Sequence, residues 1–429
     1  MKKTSQILIN KDIQQLKESA TLAINLQAKA LSRSGKDVVH LGFGQSPFPV
    51  PQSIQEALAK NAHQKDYLPT RGLPDLCSKI AAYHNQHFNY SVKEDFVLVG
   101  PGSKELIFQL LYLLEGPVFV PAPSWVSYGP QVNIRGKKIF PVQTKREQSY
   151  KIQASELREA CEKLNNEPQK ILVLNNPTNP TGAVYTQEEI ESLAKVCREH
   201  HVIVISDEIY SLVNFSDRSY FGIQQCYPEG TIVTSGISKA QAAGGYRLGF
   251  CILPETMIDV RNALSAMISE TYSAVSSPIQ YAAAAAYESN KDLDDFISLT
   301  TKIHGAAGNY LNKRFVNMGL NCPAPEGAFY LFPDFQNFKE KFKAIGIEED
   351  FELTKYLLEK HLIAVLPGSD FYFSSKALGV RVASVDYNGE AVLEEALKAD
   401  LIDDSFVAAN CTNLVKGCDR LANFLAELK

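Results

Sequence analysis

The sequence predicts an α/β protein: a large domain with a mostly parallel sheet flanked by helices, and a smaller α+β domain drawn from both termini. Three observations predict it. Between roughly Phe96 and Pro254, short apolar runs rich in β-branched residues alternate with helical patterns. These runs are continuously hydrophobic, which suits strands buried on both faces. After about Asn317 the chain turns to short, turn-rich, strand-like pieces set between helices. At 429 residues the chain is long for one core, so we divide it into a segment 1–50 packing with the small domain, a large domain 51–316 and a small domain 317–429.

Taken in order, MKKTSQILINKDIQQLKES starts basic, but its apolar ILI is broken at once by Asn10, Lys11 and Asp12, so it does not read as a secretory signal. LKESATLAINLQAKALSRSG reads as a helix that packs on the small domain. FVLVG is the first strand of the large domain, and Gly102-Ser103-Lys104 opens a helix over ELIFQLLYLL. PVFVPAP, KILVLNN, HVIVISDEIY, TIVTSG and LGFCILP are further strands. Between two of them TQEEIESLAKVCREH carries a capping box, Thr186 with Glu189, ahead of an amphipathic helix. Strand, helix, strand in this rhythm builds a parallel sheet. In the small domain CPAPEGAFYLFPDF, AVLPGSDF and VRVASVDY read as short strands. Val407, Cys411, Leu414, Cys418, Leu421 and Leu425 form the apolar stripe of one terminal helix.

Composition excludes several partners. With 43 basic against 48 acidic residues the net charge is −5, and no basic stripe points to nucleic acid or an anionic membrane. No apolar run is long enough to span a bilayer. The eight cysteines are scattered without a C-x-x-C pair, so neither a metal site nor a disulfide framework is expected, and a cytoplasmic location is.

The chemistry concentrates where strands end, which is where ligands bind in sheets of this kind. HVIVIS runs into Asp207-Glu208-Ile209-Tyr210, KILVLN into NPTNPTG with Asn179, and TIVTSG into Ser238-Lys239. Singly, each has a plain reading: a helix cap, a turn, a solvated lysine. Together and in this order they resemble the fold-type I, pyridoxal-phosphate-dependent aminotransferases of class I/II. The likeness runs from about Leu41 to Asp386. Its most specific part is Gly236-Ile237-Ser238-Lys239 followed by Arg247-Leu248-Gly249.

The resemblance implies pyridoxal 5'-phosphate as cofactor, with Lys239 as its Schiff-base lysine. It implies that Arg247, Ser238 and the helix start at Ser103 and Lys104 hold the phosphate. Asp207 pairs with the ring nitrogen, Tyr210 and Asn179 with the ring's phenolic oxygen, and Trp125 stacks on the ring face. Tyr67 reaches the phosphate of a neighbouring subunit's cofactor, which implies a homodimer with shared active sites. Gly44 approaches the substrate, and Arg381 grips its α-carboxylate. Two departures stand out. A serine common three residues before the lysine is Gly236 here, with Ser235 and Ser238 as the two candidates to replace it. LGFGQSPFPVP also lacks the family's Glu-Pro-Asp.

The implied reaction moves an amino group between an amino acid and a 2-oxo acid, with Lys239 as the general base. Near Ser273, where one aspartate-specific subgroup carries an arginine, none is found. A second subgroup places a lysine where Lys104 stands, which favours aspartate with 2-oxoglutarate. Alternatives on the same scaffold are an aromatic-selective aminotransferase or a C–S lyase. Regulators that join this fold to a DNA-binding head are not favoured, because the family motifs begin near Leu41.

Overall fold

The computed structural model describes residues 8–14, 16 and 20–428. Among them twelve strands occur: β1 (Val39–His40), β2 (Val97–Gly100), β3 (Val118–Ala122), β4 (Ile139–Gln143), β5 (Lys170–Asn175), β6 (Val202–Asp207), β7 (Thr231–Gly236), β8 (Gly249–Ile252), β9 (Tyr330–Leu331), β10 (Ile363–Ala364), β11 (Leu366–Pro367) and β12 (Val380–Ala383). Seven of these form one sheet in the order β2-β8-β7-β6-β5-β3-β4. Only β8 runs against its neighbours.

The apolar runs are continuous because each strand faces a core on both sides. On β5, Ile171 and Val173 pack with Leu106, Leu110 and Ile205 on one face. Leu172 and Leu174 pack with Leu157, Ile190 and Leu193 on the other. Fully burying such a side chain is worth about 1.5–3 kcal/mol. A third cluster joins Val97, Val99, Val233 and Phe250 to helices that carry Ile80 and Ala283.

β4 was not among the strands read from the sequence. KKIFPVQT hides it because β4 is an edge strand: only Val142 is buried, and Pro141 is tolerated where β3 is the single neighbour.

A separate core gathers both chain ends. Val39, Leu41 and Phe48 pack with Ile303, Leu311 and Phe315 of the helix Lys291–Asn317, and with Leu353, Val380, Val407, Leu414 and Leu425. Two small sheets frame it, the parallel pair β1-β10 and the antiparallel β11-β12-β9. The helix read over LKESATLAINLQAKALSRSG spans Ala20–Arg33, and its Ala28 packs on Leu358 and Ala364. Positions 17–19 of that reading lie outside the described residues.

The single terminal helix is in fact two, Asp404–Asn410 and Thr412–Glu427, broken at Cys411 with φ −108° and ψ 55°. The apolar spacing runs unbroken through the break because both pieces present their stripe to the same core. Among the described residues, no helix is long and apolar enough to cross a membrane.

Candidate active site

β5, β6 and β7 end side by side, and their last residues begin the site. Asn175 and Asp207 are register partners. The Asn175 amide donates to the Asp207 carbonyl at 2.8 Å, and its side-chain oxygen accepts the Asn179 N–H at 2.7 Å. One strand-end asparagine therefore fixes the loop that carries Asn179. The Asp207 side chain accepts the Tyr128 hydroxyl at 2.7 Å. Burial raises the Asp207 pKa to about 6, and the hydrogen bond from Tyr128 only partly offsets that shift.

Lys239 follows β7, in the turn between it and β8. Its Nζ donates to the Gly44 carbonyl at 2.9 Å and lies 5.3 Å from the ring centres of both Tyr210 and Phe329. Its amine thus sits against aromatic faces and one carbonyl, and among the described residues no ion pair with a carboxylate holds it. The Tyr210 and Tyr330 hydroxyls are 2.9 Å apart, and a Cβ on Gly44 would collide with the Tyr330 hydroxyl. Glycine at 44 is thus what lets this carbonyl reach the lysine.

An anion cradle lies at one end. The helix Ser103–Leu113 starts after Gly102, whose φ is +90°. Its free N–H groups and dipole favour a negative charge there. The Arg247 guanidinium packs so closely over Gly102 that a side chain at 102 would strike it, and a Cβ on Gly249 would strike the Ser103 nitrogen. Arg247 itself donates to the carbonyls of Gly244 at 2.8 Å and Pro101 at 3.4 Å.

Gly236 has its own reason: a Cβ there would come within 2.6 Å of the Leu248 carbonyl oxygen. No serine fits at that position. The Ser235 hydroxyl is committed to the Glu208 carbonyl at 3.2 Å, whereas Ser238 lines the cavity.

The cavity wall also carries a buried cation. Arg381, on β12 and 2% exposed, donates to Asn179 Oδ1 at 3.3 Å and to the Gly42 carbonyl at 2.6 Å. Among the described residues its Nε has no hydrogen-bond partner, and its guanidinium stacks 4.7 Å from the Tyr330 ring and 5.1 Å from that of Phe371. Lys104 Nζ lies 5.5 Å from the Trp125 ring. Burial and the neighbouring Arg247 both lower the Lys104 pKa.

These elements meet around one cavity of about 410 Å³. Of the residues singled out in the sequence, Gly44, Ser103, Lys104, Trp125, Asn179, Asp207, Tyr210, Ser238, Lys239, Arg247 and Arg381 line it. Tyr67 does not, and its side chain stands 98% exposed. Sequence reasoning missed Tyr330, Tyr128 and Asn175. The last two carried a signal: Tyr128 lies three residues after Trp125, and Asn175 ends its strand as Asp207 does.

Fold and site together define a class of group-transferring α/β enzymes. The sequence matches the family profile described as aminotransferase class I and II over residues 36–399. It is 33% identical over 390 residues to the aspartate aminotransferase of Bacillus subtilis (strain 168), covering 89% of this chain and 96% of that one. It is 30% identical to the asparagine–oxo-acid transaminase of Streptococcus mutans, covering 85% and 92%. The chain belongs to the class I and II aminotransferase family. Among solved structures, the aspartate aminotransferase from Thermus thermophilus with maleate superposes with a TM-score of 0.84 at 27% identity, covering 97% of this chain and all of that one. The fold is accordingly that of the fold-type I aminotransferases, and the protein is an aminotransferase.

Proposed function

We propose that this aminotransferase uses pyridoxal 5'-phosphate and takes aspartate as its preferred amino donor, with 2-oxoglutarate as acceptor. One observation carries the cofactor reading: a lysine amine, a buried carboxylate and an anion cradle open onto the same cavity. The residues fit the group. The cradle of Ser103, Ser238 and Arg247 suits a phosphate, with glycine wherever a Cβ would fill it. Trp125 offers a face for the ring, Asp207 a carboxylate for its nitrogen, and Tyr210 and Asn179 donors for its phenolic oxygen.

When bound, the cofactor supplies an aldehyde that takes up the amino group and a ring that accepts the electron pair of the broken Cα–H bond. The chain supplies the rest. Lys239 is the attachment point and, once displaced, the base whose Nζ takes the α-proton and returns it. Its hold on Gly44 is a single carbonyl contact, which leaves the amine free to move. Arg381 makes two side-chain hydrogen bonds among the described residues and keeps further N–H donors for the substrate α-carboxylate, which it would fix against the base. Asp207, ionised above about pH 6, keeps a negative charge opposite the ring nitrogen.

Lys104 supports the choice of aspartate. It is a cation at the cavity wall, and a dicarboxylate needs a positive partner for its second charge. The similar B. subtilis aspartate aminotransferase and the Thermus aspartate aminotransferase solved with maleate point the same way. The sequence reading of a cytoplasmic enzyme is supported by eight cysteines that are all free.

Replacing Lys104 with Ala should lower kcat/KM for aspartate by about 1.5–3 kcal/mol, the scale of a charge-assisted hydrogen bond. Phenylalanine, run alongside, should lose far less. Equal losses for both donors would make Lys104 a part of the phosphate cradle only. A preference for asparagine in the unmodified enzyme would assign the substrate class to the S. mutans relative's kind.

A further inference from the structure

We propose that Tyr128 is a positioning residue for the cofactor, acting through Asp207. Its phenol occupies Asp207 Oδ2 and thereby leaves Oδ1 turned to the ring nitrogen. This rests on the pyridoxal-phosphate reading above. The geometry is specific. Tyr128 has no solvent exposure, and its hydroxyl has one acceptor, Asp207 Oδ2 at 2.7 Å. Among the described residues, Asp207 Oδ1 receives only the long Ile209 N–H contact at 3.4 Å. Of the two carboxylate oxygens, one is spoken for and one has capacity for a further donor.

Tyr128 also ties two ring contacts together. Trp125 lies three residues earlier and meets the Tyr128 ring edge-on, with centroids 5.2 Å apart at 86°. The residue that would stack on the cofactor face and the one that would aim the carboxylate at its nitrogen are therefore packed directly against each other. That pair is fastened from the small domain: the Tyr372 hydroxyl accepts the Gly129 N–H at 2.6 Å and donates to the Val126 carbonyl at 3.2 Å. A Cβ on Gly129 would come within 2.8 Å of the Tyr372 oxygen, so glycine leaves room for this strut.

A hydrogen bond to a carboxylate favours its ionised form. Without the phenol, Asp207 keeps its burial and loses an opposing influence, so its proton binds more tightly. The other titratable groups around it are Lys239 from the turn after β7, Glu208 and Tyr210 on its own segment, and Tyr220. All of them remain in the variant.

The test is a double-mutant cycle read by cofactor affinity. Apoprotein of the parent, Tyr128→Phe, Asp207→Asn and the double variant is titrated with pyridoxal 5'-phosphate by equilibrium dialysis from pH 5 to pH 8. Thermal unfolding of each apoprotein is recorded beside it. Tyr128→Phe should weaken binding about tenfold near neutral pH, and its acid loss of affinity should begin about one pH unit higher than in the parent. In the Asp207→Asn background the same change should cost no more than about twofold. Equal affinities for parent and Tyr128→Phe overturn the proposal. So does equal weakening in both backgrounds, the signature of lost packing. If the parent itself fails to bind the cofactor, it is the underlying functional reading that falls.

Discussion

Glu208 follows Asp207 directly and is 1% exposed, with its carboxylate accepting the Tyr90 hydroxyl at 2.7 Å and the Ser206 hydroxyl at 2.8 Å. Burial outweighs those bonds and pushes its pKa up to about 7 from 4.5. Between these values the folded protein holds a proton that the unfolded chain has released. Its stabilising contribution is therefore complete below about pH 4.5 and is lost as pH rises through 7. Glu208→Gln, neutral throughout, should gain stability relative to the parent by on the order of 3 kcal/mol between pH 5 and pH 8. Urea unfolding of the apoprotein at several pH values measures this, and a pH-independent difference would show Glu208 already ionised in the fold. The residues around the cavity were legible as a set because each of the central ones ends a strand. Tyr330 was not: it meets Tyr210 from 120 positions away, and no local pattern announces a contact of that range. Nor does any pattern reveal that Gly236 is glycine because of the Leu248 carbonyl.

Among elements, the helix Gln187–Glu199 was readable to its first residue. Thr186 accepts the Glu189 N–H at 3.3 Å, and Glu189 accepts the Thr186 N–H at 2.8 Å. Thr186→Ala should cost about 1 kcal/mol of stability with activity unchanged, since the helix packs on the sheet face away from the cavity. Denaturant midpoints and initial rates on one preparation check both halves, and a fall in rate would reveal a link from this helix to the site. Interior strands were legible because burial on two faces leaves a continuous apolar run. The edge strand β4 was not, since one buried residue makes no run. The break at Cys411 escaped for a related reason: the stripe records which face is buried, not whether the backbone is continuous.

At the scale of the whole molecule, Tyr67 is a large aromatic left bare on the chain's surface. A homodimer whose partner's cavity receives it would explain that exposure. Mixing Lys239→Ala with Tyr67→Ala, each inactive or weak alone, should then restore roughly one quarter of parental activity, since half the dimers are hybrids with one intact site. A mixture no more active than the sum of its parts, once subunit exchange is verified, would confine each site to one chain.

The pairing of β1 with β10 joins Val39 to Ile363, and the Gly44 carbonyl that holds Lys239 lies five residues beyond Val39. During synthesis the central sheet can close once β8 has emerged from the ribosome, because all seven of its strands lie between residues 97 and 252. Leu41 and Phe48, by contrast, have no core to enter until Ile303 and the residues after it, roughly 250 positions further on, have been made. The nascent chain therefore carries its first apolar segment unsheltered through most of translation.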